Sequence, residues 1–169
     1  MSGFEIERKF LVVDDSYRQV ARAASHIRQG YICSGHGRTV RVRRRDEAAY
    51  ITIKGPSADG GLSRYEFEKE ITLDEAEHLF GLCEEGIIEK TRYLVDCGQH
   101  TFEVDEFHGS NQGLVIAEVE LSAPDEDYVK PPFIGQEVTG DRRYYNSFLH
   151  RHPYSSWLAG DEARGARCL

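Results

Sequence analysis

Polar and apolar side chains alternate two residues apart along much of the chain between Phe4 and Ser122. In the run from Phe4 to Val13, Ile6 and Phe10 share one face of an extended strand with Arg8, while Glu5, Glu7 and Lys9 share the other. The spacing recurs in Arg41-Val42-Arg43, Thr52-Ile53-Lys54, Glu66-Phe67-Glu68, Lys90-Thr91-Arg92, Glu103-Val104-Asp105 and Glu118-Val119-Glu120. In each, charged or polar residues flank a middle residue that is apolar or Thr. One such strand alone reads as a solvated edge. Seven, with charges blocked by strand rather than mixed as on a solubilising surface, predict a sheet with one charged concave face. A barrel of about eight strands has room for one small ligand, and here its interior would be ionic.

The remaining elements follow from turn and capping signals. Asp14-Asp15-Ser16 offers caps to a helix through about Ala24, with Tyr17, Val20, Ala21 and Ala24 at helical spacing. A strand from about His26 to Cys33 leads through Ser34-Gly35-His36-Gly37 into Arg38 to Arg45, and Asp46-Glu47 turns the chain into Ala49 to Lys54. Links this short predict antiparallel neighbours. The loop Gly55 to Gly61 lacks the G-x-x-x-x-G-K-[ST] order of a phosphate cradle and reads as a flexible hairpin. A strand from Arg64 to Thr72 precedes a helix near Glu75 to Glu84, with Asp74 as N-cap and Ala76, Leu79, Phe80 and Cys83 on its apolar face. Strands at about Ile87 to Asp96, His100 to Phe107 and Leu114 to Ser122 complete eight. Pro131-Pro132 marks an irregular segment, and Asp141 opens a last helix through His150. The fold class expected is α+β: an eight-stranded antiparallel β-barrel, a tunnel, with helices packed outside.

Length and composition fit this. The 169 residues, 40% hydrophobic, suffice for one cored domain over 1–158, with no linker dividing it. The tail 159–169 has little apolar periodicity and reads as disordered. A net charge of −8 argues against a general nucleic-acid grip. Cys33, Cys83, Cys97 and Cys168 have neither zinc nor disulfide-framework spacing, which fits reduced thiols in a cytoplasmic protein. No stretch approaches the ~20 apolar residues of a membrane helix, and no signal-type segment is present, so no membrane partner is expected.

Eight inward carboxylates would repel one another unless cations or inward bases relieved them. Hard oxygen donors without an inward His or Cys cluster favour Mg2+ or Mn2+ over zinc or copper. The opposing set, Lys9, Arg41, Arg43, Lys54, Lys90 and Arg92, suits a linear polyanion, since arginine grips phosphate bidentately and lysine supplies a compact charge. Surface salt bridges are the plain alternative.

The chain resembles the CYTH family, the triphosphate tunnel metalloenzymes, and in particular its short microbial inorganic triphosphatases. EIERKF, TVRVR, ITIKG, SRYEFEKEI, IEKTRY, FEVDEF and IAEVEL occur in the family's order, and the resemblance runs from Phe4 to about Trp157. It implies two metal ions on Glu5, Glu7, Glu118 and Glu120, with Glu66, Glu68, Glu103 and Asp105 as further members of the acidic wall. It implies triphosphate binding by Lys9, Arg41, Arg43, Lys54, Lys90 and Arg92, joined by Arg64. Tyr31 stands where short microbial members often carry a tyrosine near the tunnel, and cross-strand packing is its plain alternative.

The implied reaction is attack of water on a terminal phosphorus of tripolyphosphate, giving pyrophosphate and phosphate, with a second metal or a nearby glutamate such as Glu5 activating the water and Lys9 or Lys90 stabilising the developing charge. Adenylate cyclase of class IV type, thiamine triphosphatase and nucleoside or RNA 5′-triphosphatase share the same phosphate motifs and stay open, as does a homodimer. A non-catalytic polyphosphate-binding module is the alternative of another class. An apolar carrier conflicts with the charged lining. His150 and His152, beside Pro153, read as surface residues, and Arg142 and Arg143 either reach the tunnel mouth or are solvated.

Overall fold

The computed structural model describes residues 2–157; the tail 159–169, expected to be disordered, lies outside the described residues. Twelve elements follow in order: β1 (Ser2–Val12), α1 (Tyr17–Val20), β2 (Ala23–Gly35), β3 (Arg38–Arg45), β4 (Ala48–Lys54), β5 (Ser63–Ile71), α2 (Leu73–Phe80), β6 (Ile88–Cys97), β7 (His100–Phe107), β8 (Val115–Leu121), β9 (Ile134–Glu137) and α3 (Asn146–Leu149). The sheet runs β5-β4-β3-β2-β6-β7-β8-β1-β9, and pairing of β5 with β1 closes eight of the strands into an antiparallel barrel. No helix among the described residues is long and apolar enough to cross a membrane.

Local chemistry accounts for the tight links. His36 and Gly37 both adopt positive φ, 51° and 74°, the mirror-image turn that matches strand twist in a two-residue hairpin. Asp46 takes φ 51° between β3 and β4, a conformation that Asp tolerates better than most residues. Helix α2 starts at Thr72, not Asp74. The Thr72 hydroxyl accepts from the Glu75 amide while the Glu75 carboxylate accepts from the Thr72 amide, a complete capping box.

Closure turns the usual order of a domain inside out, because the apolar faces point outward and must be covered there. Phe10, Phe102, Val104, Val119 and Leu121 pack under Tyr17 and Phe133. Ile88, Phe107, Leu114 and Ile116 pack under Leu149. Val42 and Ala49 pack under Ala76 and Phe80 of α2. The hydrophobic core is therefore a partial shell around the barrel, and the interior is left to charge.

Three expected elements differ. The first helix has four residues rather than extending to Ala24; the backbone turns extended at Ala21, and Ala23 and Ala24 pair with Leu94 and Tyr93 of β6. One turn suffices to bury Tyr17, and sheet pairing outweighs the helical spacing beyond it. The segment after Pro131-Pro132 contains a ninth strand: β5 pairs with β1 over Ser2–Ile6, and β9 takes the same strand at Phe10 and Val12. The last helix is broken. A 3-10 turn, Arg142–Tyr144, is followed by an extended Tyr145 (φ −76°, ψ 135°) and the short α3. Residues 138–150 thus form a strap whose polar side chains reach across one end of the barrel.

Candidate active site

The inward faces enclose a cavity of about 210 Å³ that opens into a mouth of about 810 Å³ between the β2–β3 hairpin, the β4–β5 loop and the strap. Glu5, Glu7, Lys9, Tyr31, Arg41, Arg43, Lys54, Arg64, Glu66, Glu68, Lys90, Arg92, Glu103, Glu118 and Glu120 all line the inner cavity. Of the residues that the resemblance assigns to metal or triphosphate, Asp105 alone is absent from the lining. It lies behind the wall, 1% exposed, accepting Lys90 Nζ at 2.6 Å and Arg92 Nε and Nη2 at 2.6 and 2.7 Å. Both its oxygens are taken, so its place is that of an anchor for two cations.

The register sorts the charges. Lys9 faces Glu118, Glu5 faces Arg64, Lys54 faces Glu66 and Arg92 faces Asp105, all complementary cross-strand pairs. Glu7 faces Glu120 and Glu103 faces Glu118, so carboxylate meets carboxylate along β1, β8 and β7. Such pairs are destabilising by themselves. Burial, then Glu118, push the Glu7 carboxyl from 4.5 up to about 7 against the pull of Lys54 and Lys9. Burial, Glu5, Glu103 and Glu66 likewise raise Glu120. Glu118 goes the other way, since Lys9, Arg92, Lys90 and Lys54 overcome its burial and hold it well below the usual carboxylate range.

On the basic side, burial would lower Lys9, but Glu118 and Glu7 outweigh it and the net direction is upward. Burial pulls Lys90 down to about 7, helped by Arg92 and Arg43 and opposed by Asp105. Arg43 is lowered to about 9 by burial and by the neighbouring Arg41 and Arg92. Lys54 Nζ bridges Glu5 and Glu66 at 2.7 and 2.8 Å. Arg41 Nη2 donates to Thr52, while its buried Nε has no hydrogen-bond partner, an uncommon condition for a buried donor.

Among the described residues, no three His, Cys, Asp or Glu side chains already converge as a cation cage. The donor chemistry nonetheless fits a hard divalent ion: every inward anionic group is a carboxylate, and burial together with neighbouring carboxylates raises Glu7 and Glu120.

Several lining residues escaped the sequence reading. Arg45 shares the strand parity of Arg41 and Arg43, a signal that was present; Gln29, of the parity of Tyr31, is fully buried and stands behind the lining rather than in it. Tyr145 and Asn146 lie on the irregular strap and had none. Lys9 Nζ sits 5.0 Å from the Tyr145 ring centroid and Arg64 Cζ 5.6 Å from it. His150 is a correction: its side chain is buried against Tyr31, with Nε2 3.0 Å from Ser34 Oγ and Nδ1 3.1 Å from the Glu85 carbonyl. It is the seat of the strap rather than a surface group, whereas His152 is exposed. Arg142 lines the mouth, and Arg143 pairs with Asp141 with its guanidinium over Tyr144 and Trp157. The glycine-rich loop forms one rim of the mouth, where Gly61 and Gly140 approach so closely that a Cβ on either would strike the other strand of backbone.

Comparison with known proteins agrees with this arrangement. The CYTH domain model matches residues 3–145. A protein of Acetivibrio thermocellus named inorganic triphosphatase is 49% identical over 158 residues, 92% of this chain and 98% of its own length. A second inorganic triphosphatase, from Nitrosomonas europaea, is 38% identical over 151 residues, covering 86% of this chain and 95% of its own. A crystal structure described as an inorganic triphosphatase superposes with a TM-score of 0.60 at 32% identity, over 86% of this chain and 93% of that one.

Proposed function

The chain belongs to the CYTH family, and from that premise we propose that it is an inorganic triphosphatase, a hydrolase of phosphoanhydride bonds that cleaves tripolyphosphate to pyrophosphate and phosphate. One observation carries the reading beyond the likeness: a closed tunnel presents arginines and lysines on β3, β4 and β6 across from carboxylates on β5, β1, β8 and β7. The unpartnered Arg41 Nε and the raised carboxyls of Glu7 and Glu120 fit an interior built for a phosphate chain and its counter-cation.

In this reading Arg41, Arg43, Lys54, Arg64, Lys90 and Arg92 hold the phosphate oxygens, the arginines as forks and the lysines as point charges. Glu5, Glu7, Glu118 and Glu120 would hold Mg2+ or Mn2+, with Glu66, Glu68 and Glu103 beside them; Asp105, spent on Lys90 and Arg92, is withdrawn from that set. When bound, such a cation would supply Lewis-acid chemistry to the reaction. The proton lost by the attacking water would pass to a nearby carboxylate such as Glu5. Lys9 and Lys90 place ammonium groups where negative charge grows on the leaving phosphate. Cys33, Cys83 and Cys97 are free thiols, which supports a cytoplasmic setting.

The test is phosphate release from tripolyphosphate, ATP and thiamine triphosphate with Mg2+ or Mn2+, together with a cyclic AMP assay. Tripolyphosphate is expected to be the preferred substrate; turnover of ATP alone, or cyclic AMP production, would overturn the assignment. Arg43→Ala is expected mainly to raise KM.

A further inference from the structure

The cations facing the cavity differ in what holds them. Arg41 lies 3.8 Å from Glu68, Lys54 bridges Glu5 and Glu66, Lys90 binds Asp105, and Arg92 binds Asp105 and Glu103. Arg43 makes no ion pair among the described residues; its hydrogen bond runs from Nε to Oε1 of Gln29 at 3.1 Å. Gln29 is 0% exposed, and its Nε2 donates to Asn146 Oδ1 at 3.1 Å and to the Tyr31 hydroxyl at 3.3 Å. Asn146 Oδ1 also receives Lys90 Nζ at 3.0 Å. Two neutral amides thus connect a guanidinium on β3 with an ammonium on β6, by way of β2 and the strap.

A buried amide must have its groups satisfied, and an apolar side chain of similar volume would fill the same space without that demand. What the amide adds is orientation without neutralisation. Gln29 occupies Nε of Arg43 and leaves both Nη nitrogens, the prongs that grip phosphate bidentately, uncommitted. A carboxylate at the same place would fix the guanidinium equally well but would oppose an incoming anion.

We propose that Gln29, seated on Asn146 of the strap, is a positioning residue for phosphate binding: it aims the Arg43 fork into the tunnel while leaving its positive charge unspent. The inference rests on the triphosphatase reading for its ligand, and on geometry alone for the Gln29–Arg43 contact. Asn146 joins the arrangement to Lys90, so the strap and the two cations hold one another in register.

The full chain carrying Gln29→Leu or Gln29→Glu tests this. For Gln29→Leu, KM for tripolyphosphate should rise about tenfold with kcat within about threefold of wild type, the split expected when an oriented ground-state contact is lost. In 15N-labelled protein without substrate, the Arg43 Nε proton, assigned by its disappearance in Arg43→Lys, should be protected from exchange in wild type, lost in Gln29→Leu and kept in Gln29→Glu. Gln29→Glu should still raise KM, because the fork is aimed but partly neutralised. A wild-type KM in Gln29→Glu, or an unchanged Arg43 signal in Gln29→Leu, would overturn the proposal. If Gln29→Leu fails to fold, the glutamate variant decides by the same two readouts. Should wild type neither bind nor cleave tripolyphosphate, the triphosphatase reading falls, and the Arg43 signal still decides whether Gln29 holds the guanidinium.

Discussion

Substituting Glu7 by Gln separates stability from function in a direction that few buried charge deletions share. Glu7 faces Glu120 across the β1–β8 ladder, with Glu118 and Glu5 adding like charge and Lys9 and Lys54 opposing it, and its carboxyl is raised from 4.5 to about 7 with burial as the largest cause. Between those two pH values the folded chain holds a proton that the unfolded chain has released. Glu7 therefore contributes stability that is whole below about pH 4.5 and is lost as pH rises through about 7. At 1.36 kcal/mol per pH unit the loss reaches about 3 kcal/mol at most, and sharing of charge with Glu118, Lys9 and Lys54 brings the expectation to about 1–3 kcal/mol. Gln keeps the neutral shape at every pH. Urea denaturation with a chelator present should find Glu7→Gln and wild type equally stable near pH 5, and the variant more stable by about 1–3 kcal/mol at pH 8, while tripolyphosphate turnover with metal restored falls to a small fraction. Parallel pH dependences for the two proteins would refute the assigned burial of charge. A variant weaker than wild type at pH 8 would mean that Lys9 and Lys54, not burial and Glu118, govern this position.

Asp105→Asn leaves Lys90 and Arg92 buried without their shared anion, and urea denaturation should show a loss of about 3–5 kcal/mol. Thr72→Ala removes the capping box of α2, which costs about 1 kcal/mol and should lower the melting temperature by about 2–4 °C in a chain of this size. Gly86→Ala meets two obstacles together, φ of +95° and the His150 carbonyl in the space a Cβ would take, so thermal melting should fall well beyond the effect of Thr72→Ala. Tripolyphosphate with metal should raise the melting temperature, a ligand at ~100 times its dissociation constant adding about 2.7 kcal/mol.

The barrel was legible because a strand with charge on one face and apolar residues on the other has few places to go, and Glu5, Lys54 and Glu118 announce the same inward face from distant parts of the chain. The helix α2 was legible in its apolar face, but its cap was placed at Asp74, although Thr72 and Glu75 carry the spacing of the capping box that forms. The strap was not legible. Tyr145 and Asn146 owe their positions to contacts with Lys9, Arg64, Gln29 and Lys90, none of which leaves a periodic trace in local sequence. His150 looked like a solvated helix end because its burial depends on Tyr31 and Ser34, more than a hundred residues away. Strand β9 is short, follows two prolines and contains Gly135, so pairing with β1 alone defines it.

The divided edge of β1 bears on how the chain survives its own synthesis. This strand emerges from the ribosome before any of its partners, and its ladders to β8 and β9 close over long sequence separations, a slow kind of assembly. A waiting strand with bare backbone edges invites pairing between nascent chains. Glu5, Glu7, Arg8 and Lys9 break its apolar run at nearly every step, the pattern by which charges act as gatekeepers against aggregation. The ionic groups that will line the tunnel thus also guard the strand until the barrel shuts around it.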